Sequence, residues 1–486
     1  MLIKNNNMKL TAKCFTVGPY LLLLVAIMLA LTATPLRANP QGVILPQELP
    51  QHWRRTTLKE PFYNGNISVV QAGASTAPVL LLIHGLGVNG MLDWLPVISA
   101  FEGQYHVISI DLPGFGQSDK TIAQLSPARY AELINWVVQQ FSDQPVIVAG
   151  HSMGGAISLR YAADYPQQVS KLIMLDTAGI LQRTIFVRHL AQLPESYQWM
   201  EQLGPAKSLF NAALGKFNRF ADRVTAKVLT GLDHLPDPAQ LLLSQPVAQR
   251  YLYRDRTNLN AALGLIYEDF SDALASVSVP THIIWGQQDS VTPLRTGQLL
   301  ASRMQNAQLH VIAGAGHVPM ADTPQQLIAI MQQALQQAPQ RILLPEFVAS
   351  AKDLHCNNQR DQVYRGHYRQ IRIIGCRYIN LQQLTAESVY LENSVVNMQD
   401  VRLVSGSTAL TLHNAAVTLT NVDLHGTTAL YSRNSKVDAA GVHFFGAEQA
   451  IRLTDDNALY FSVSRIITPK QTVLHGYSLG SKLALK

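Results

Sequence analysis

The chain has 486 residues, too many for one ordinary domain and enough for a large core plus a second module. Hydrophobic residues make up 47% and charged residues 14%, a balance that excludes a disordered chain. The formal net charge is +6, but Lys4, Lys9, Lys13 and Arg37 stand without an acid in residues 1–38, so the remainder carries +6 − 4 = +2. No basic stripe stands out in that remainder, and no nucleic-acid partner is expected.

The first segment reads as a targeting sequence. Three lysines precede the apolar stretch Val17–Ala33, which runs into small residues and Leu36-Arg37-Ala38. Residues 1–38 are expected to be a cleaved secretory signal or an uncleaved anchor that associates with the membrane. Either outcome puts the body of the protein outside the cytosol: periplasmic or secreted, or anchored and facing the periplasm. No cysteine follows the apolar run, so a lipoprotein anchor is not expected. Of three cysteines, Cys14 falls in this segment, which leaves Cys356 and Cys376 as a disulfide candidate in an oxidising compartment.

A polar, proline-bearing lead (Asn39–Pro61) precedes an alternation of apolar runs and helical patterns, the sign of a mostly parallel sheet. Val79–Ile83, Tyr105–Ile110, Val146–Ala149, Lys171–Leu175, Thr281–Trp285 and Leu309–Ile312 read as strands buried on both faces. Pro127–Phe141 and Met153–Tyr165 carry apolar residues at helical spacing, and Thr323–Ala338 reads as a helix with Thr323 at its N-cap and Pro324 first inside. Between about 179 and 276 the alternation breaks into amphipathic, proline-punctuated helical sequence, expected to be an inserted lid. Its Phe210, Phe217, Phe220, Leu241–Leu243 and Tyr251 suit an apolar acyl group or simply bury the underside of the lid. The first domain is thus expected over 39–338, with a linker over 339–350.

From 351 to 486 the texture changes. Val401, Val422 and Val442 recur at 21 and 20 residues; Asn393, Asn414, Asn434 and Asp455 recur at 21, 20 and 21. Val396, Val417 and Val437 follow the same period, as do Ala409, Ala429 and Ala450. Short β-rich pieces at this period, with small polar turns and no helical segment, point to a stacked β-solenoid. In periodicity and composition the region resembles the right-handed parallel β-helix of pectin-lyase-like proteins. Cys356 and Cys376, one period apart, would then lie on adjacent coils about 4.8 Å apart and staple the first turns.

The chemistry concentrates at Gly150-His151-Ser152-Met153-Gly154, a G-x-S-x-G between a buried strand and a helix, as a nucleophile elbow requires. The tight turn leaves no room for a Cβ at either glycine, and it presents Ser152 at a helix N-terminus. A serine needs a base and an orienting acid, in chain order Ser, Asp, His. His317 in Gly314-Ala-Gly-His follows the last strand and is the expected base, whereas His84, His106, His151, His282 and His310 are expected to pack. The acid is Asp289 in "WGQQDSVTP", which keeps the usual spacing, or Asp176 in "MLDTAG", expected rather to support the start of the lid.

Taken together, "LLIHGLG", "IDLPGFGQSD", "VAGHSMGGA", "IIWGQQDSVTP" and "GAGHVPMADTP" resemble the α/β-hydrolase superfamily over roughly residues 60–338. The resemblance implies an oxyanion hole made of the Leu86 and Met153 amides and a structural role for Asp111–Gly116. It also implies the lid-bearing serine branch, which includes carboxylesterases, lipase-like enzymes, carbon–carbon-bond hydrolases and cofactor-free haloperoxidases. The expected function is an extracytoplasmic serine hydrolase cleaving a small-molecule or lipid ester through an acyl-enzyme. The alternatives are a carbon–carbon-bond hydrolase, or a binding scaffold with a vestigial hydrolase fold directed by its solenoid to polysaccharide or envelope material. No HExxH, C-x-x-C, P-loop or dinucleotide fingerprint occurs, so no metal and no cofactor are expected.

Overall fold

The computed structural model describes residues 49–87, 89–121, 123, 125–181, 257–341, 343–467 and 472–485. The expected signal or anchor and most of the expected lid, residues 182–256, lie outside the described residues.

Eight strands form the first sheet: β1 (Arg54–Lys59), β2 (Asn66–Ala72), β3 (Val79–Ile83), β4 (His106–Ile110), β5 (Val146–His151), β6 (Val169–Leu175), β7 (Thr281–Gly286) and β8 (Ala307–Ile312). Their order is β1-β2-β4-β3-β5-β6-β7-β8. From β4 to β8 all neighbours are parallel, while β1–β2 and β2–β4 are antiparallel. The six strands expected from apolar runs are therefore present, but Leu309–Ile312 is not buried on both faces as expected, because β8 lies at the sheet edge and leaves Val311 exposed. The polar lead over Asn39–Pro61 contains β1. That strand is an edge with mostly exposed residues, so it carries no buried run that a sequence reading could detect.

The period-two geometry of a strand sorts the core. Leu81 and Ile83 pack on one face with helices α2 (Pro127–Gln139), α3 (Met153–Asp164) and α6 (Leu294–Arg303). Leu80 and Leu82 pack on the other with α1 (Leu95–Phe101) and α8 (Pro324–Gln336). The remaining described α-helices are α4 (Thr257–Tyr267), α5 (Ser271–Ser276) and α7 (Pro319–Asp322). Ser126 caps α2 by accepting from the Arg129 amide at 3.3 Å, with Pro127 first inside. Thr323 does stand before α8, but its side chain makes no cap bond; its amide donates to Pro319 O as α7 runs straight in.

The C-terminal region is a parallel solenoid built from β9 (Leu354–Asn357), β10 (Val363–Ile374), β11 (Arg377–Glu392), β12 (Val395–Val404), β13 (Thr408–His413), β14 (Ala416–Arg433) and β15 (Lys436–Ile466). The columns legible in the sequence are the register itself. Val401 pairs with Val422 and Val422 with Val442; Val396 pairs with Val417 and Val417 with Val437. Asn393, Asn414, Asn434 and Asp455 all have positive φ, between 49° and 59°, at the same corner of successive coils. Asn and Asp tolerate the left-handed conformation best after glycine, which explains the recurrence. The Asn434 side-chain Nδ2 also donates to Asn414 Oδ1 at 2.7 Å.

Two expectations need correction. Cys356 and Cys376 form a disulfide with Cα atoms 6.6 Å apart, yet they are not vertical neighbours: Cys356 is in register with Ile373, and the bond crosses the corner at Gly375. The first coil is shorter than the later period, so equal spacing did not mean equal register. The stack also does not stay parallel to its end, since β16 (Thr472–Leu485) runs antiparallel to β15. A reversed final strand covers an edge that would otherwise invite further pairing.

Candidate active site

Ser152 sits between β5 and α3 with φ 53° and ψ −117°, a backbone state that L-residues rarely adopt. The flanking glycines make the turn possible. A Cβ on Gly150 would come within 2.2 Å of Gly154 O, and one on Gly154 within 2.2 Å of Ile83 O and 2.6 Å of His84 O. These are backbone contacts that no rotamer can relieve. The Ser152 amide donates to Leu175 O at 2.9 Å, and its carbonyl accepts from the Ala178 amide at 3.2 Å, so neighbouring β6 holds the strained residue in place.

Two loops at the same end of the sheet meet this serine. His317, between β8 and α7, has Nε2 3.0 Å from Ser152 Oγ and Nδ1 2.8 Å from Asp289 Oδ2. Donation from Nδ1–H to the carboxylate leaves Nε2 free to accept from the serine hydroxyl. Asp289 lies in the loop after β7, with its side chain fully buried. Its Oδ1 accepts from the amides of Val291 (2.7 Å) and Thr292 (2.9 Å), and its Oδ2 also accepts from the Thr292 hydroxyl (2.5 Å). Burial pushes this carboxyl up, but the bonds from His317 and Thr292 outweigh it and hold Asp289 below the ordinary carboxylate range. Sequence reasoning did not single out Thr292. The signal was there in the spacing, an Asp followed three residues later by Thr in a turn.

Asp176, the other candidate acid, is fully buried at the end of β6. It accepts the Gly286 amide at 2.8 Å, so it steadies the end of β7; the expected support of the lid falls mostly on residues outside those described. Burial first, and then the charge of neighbouring Asp289, raise its carboxyl well above the ordinary range. Neighbouring buried carboxylates disfavour each other's charge, so burial and Asp289 push Asp176 up while His317 and Thr292 hold Asp289 down.

The other histidines have structural partners. His84 accepts the Leu112 amide at 3.0 Å, His106 lies 3.3 Å from the Gln71 side-chain oxygen, and His282 lies 3.0 Å from His310. His151 donates from Nε2 to the carbonyl of His317 at 2.6 Å, so it holds the loop that carries His317. Burial, followed by the nearby His317, lowers its pKa to about 3. The unfolded chain then takes up this proton below about pH 6.5, while the folded chain resists until about pH 3. Stability contributed by neutral His151 is full above that upper limit and falls as pH drops through the window. Urea midpoints measured against pH are expected to decline across it in wild type and to decline less in His151→Gln.

The loop after β3 closes the site from the opposite side. A Cβ on Gly85 would lie 2.8 Å from Ser152 Cβ, which puts His84–Leu86 directly against the serine. Met153 opens α3, where first-turn amides have no intrahelical acceptor. The Leu86 and Met153 amides thus belong to the two backbone segments that flank Ser152. The Gly87 amide donates to Asn258 Oδ1 at 2.9 Å, tying this loop to α4. Asn258 gave no signal in the sequence, because its role depends on a contact 171 residues away. Asp111 accepts the Met91 and Gln117 amides at 2.8 Å each and has the structural role implied for its turn.

Residues 78–324 match the family described as alpha/beta hydrolase fold. An uncharacterised protein of Mycobacterium bovis is 31% identical over 264 residues, spanning 53% of this chain and 75% of its own. Lipase 1 of Psychrobacter immobilis is 30% identical over 246 residues, 50% of this chain and 72% of its own. A 2-hydroxy-6-oxononadienedioate/2-hydroxy-6-oxononatrienedioate hydrolase of Pseudomonas is 27% identical over 260 residues, 52% of this chain and 86% of its own. With its mostly parallel sheet and the serine turn at the end of β5, the chain belongs to the alpha/beta hydrolase fold family.

Proposed function

We propose that the protein is a serine hydrolase that cleaves a carboxylic ester through an acyl-enzyme. The observation that carries this reading is the continuous hydrogen-bonded line from Ser152 Oγ through His317 to Asp289, at 3.0 and 2.8 Å. Ser152 Oγ attacks the ester carbonyl carbon as its proton passes to His317 Nε2. The Leu86 and Met153 amides receive the oxyanion. His317 then protonates the leaving alkoxide, and the alcohol departs from the acyl-enzyme. Water attacks the acyl carbon, giving a proton to His317, which returns it to Ser152 Oγ as the acid leaves. Throughout, Asp289 keeps the Nδ1 tautomer and balances the imidazolium.

The likeness to Lipase 1 supports an ester substrate, and the oxo-dienedioate hydrolase supports a 2-hydroxy-6-oxo-dienoate as the second choice. A fluorophosphonate probe on wild-type protein, followed by peptide mass spectrometry, is expected to modify Ser152. Absence of label there, with turnover of the dienoate but of no p-nitrophenyl ester, would overturn the ester reading.

An extracytoplasmic location belongs to the same proposal. The lysine-led apolar segment and the Cys356–Cys376 bond, which suits an oxidising compartment, support it. Periplasmic fractionation with N-terminal sequencing tests it, and protein confined to the cytosol would refute it. For the solenoid, envelope polysaccharide is the proposed partner. The support is an open groove of about 420 Å³ beside Asn393, Asn414 and Asn434, with Arg377 and Lys436 also lining it. Retention of the full chain on immobilised envelope polysaccharide, weakened in Lys436→Glu, is the expected result; equal passage of both proteins counts against it.

A further inference from the structure

We infer that the solenoid braces the loop of the catalytic acid, with Arg295 and Arg303 of α6 as positioning residues; this rests on the Ser152–His317–Asp289 reading. The amides that hold Asp289 Oδ1 belong to Val291 and Thr292, and α6 begins two residues later at Leu294. Movement of α6 is therefore transmitted to the carboxylate through a single intervening residue, Pro293.

Inside the hydrolase α6 has little freedom to be cushioned. Gly297 lies against Trp285, where a Cβ would approach the ring to 2.8 Å, and the Trp285 indole donates to Thr292 O at 3.0 Å. The outer side of α6 is held by the solenoid. Arg295 in its first turn donates from Nε to Thr420 Oγ1 (2.6 Å), from Nη1 to Asp438 Oδ2 (2.6 Å), and from Nη2 to Leu419 O (2.8 Å) and Asp438 Oδ1 (3.1 Å). Arg303 in its last turn donates from Nε to Gly441 O (2.9 Å), from Nη1 to His443 Nδ1 (3.0 Å) and from Nη2 to Asp423 Oδ1 (3.3 Å).

These partners sit on β14 and β15, so both ends of the helix are fastened to successive coils. The guanidiniums are largely buried, and their planar forks fix direction as well as distance. Ala440 and Val463 of the solenoid pack in the same apolar cluster as Leu299 and Leu300 of α6. A module carried on a flexible tether would leave this face polar and exposed. Here the second domain completes the support of the first domain's acid loop.

The test uses the full chain with Arg295→Ala, Asp438→Ala and the double variant. Fluorophosphonate titration counts active sites, so that kcat is expressed per competent site and loss of folded protein is factored out. Arg295→Ala is expected to lower kcat per site about 10- to 100-fold with KM within about twofold, since small misplacements of a catalytic group cost rate on that scale. Asp438→Ala should do the same, and the double variant should be no worse than either single change. Arg369→Ala, which breaks the exposed pair with Asp353 elsewhere on the solenoid, should leave kcat unchanged. An unchanged kcat per site in Arg295→Ala, with only the titre or Tm falling, overturns the brace. If wild type takes no label, the serine hydrolase reading fails and hydrogen exchange decides the brace. Faster exchange of the Val291 and Thr292 amides in Arg295→Ala supports it, and unchanged exchange overturns it.

Discussion

Ser152→Ala is expected to lower kcat for a p-nitrophenyl ester about 10⁶-fold, close to the loss when any such serine–histidine unit is disabled. What remains would come from oxyanion binding and substrate orientation, which the variant keeps. The fold should survive because the bonds that hold residue 152 are backbone ones. Its amide donates to Leu175 O and its carbonyl accepts from the Ala178 amide, and alanine preserves both. Steady-state kinetics with a thermal melt separate the outcomes: a Tm near wild type with turnover abolished supports the mechanism. Turnover within tenfold of wild type would show that Ser152 is not the nucleophile.

The second large effect discriminates between two acids that look alike in sequence. Asp289→Asn is expected to reduce kcat about 10⁴-fold, because an amide in that place no longer fixes the His317 tautomer or stabilises the imidazolium. Asp176→Asn should cost only a few-fold. Burial and the adjacent Asp289 charge push the Asp176 carboxyl up, toward the uncharged form whose shape asparagine nearly reproduces. The oxygen that accepts from the Gly286 amide at 2.8 Å would also remain. Parallel kinetic measurement of the two variants settles the assignment; a reversed order would give the orienting role to Asp176.

Much of the hydrolase domain was legible because β3 to β7 are largely buried and so read as apolar runs, and the edge strand β8 still carries Leu309, Val311 and Ile312. The edge strand β1 was not, since it is mostly exposed and is held to β2 by antiparallel backbone pairing that leaves no hydrophobic signature in β1. The solenoid shows the same contrast. Its register could be read from the valine and asparagine columns, whereas its reversed final strand had no periodic signal to announce it.

By themselves, the amino acids determined whatever depends on local sterics. Glycine at 150 is demanded by contacts within its own turn, and asparagines recur where each coil needs a left-handed corner, whereas glycine at 154 is demanded by the approach of Ile83 and His84 from β3. Tertiary structure alone decided the choices between groups distant along the chain. It brought Asp289 rather than Asp176 to His317, joined Cys356 to Cys376 across a corner instead of along a column, and set Arg295 and Arg303 into the solenoid. The physical reason is common to all three: a charge, a thiol or a guanidinium acts only on what lies within a few ångströms, and that neighbourhood exists only once the sheet and the coils have packed.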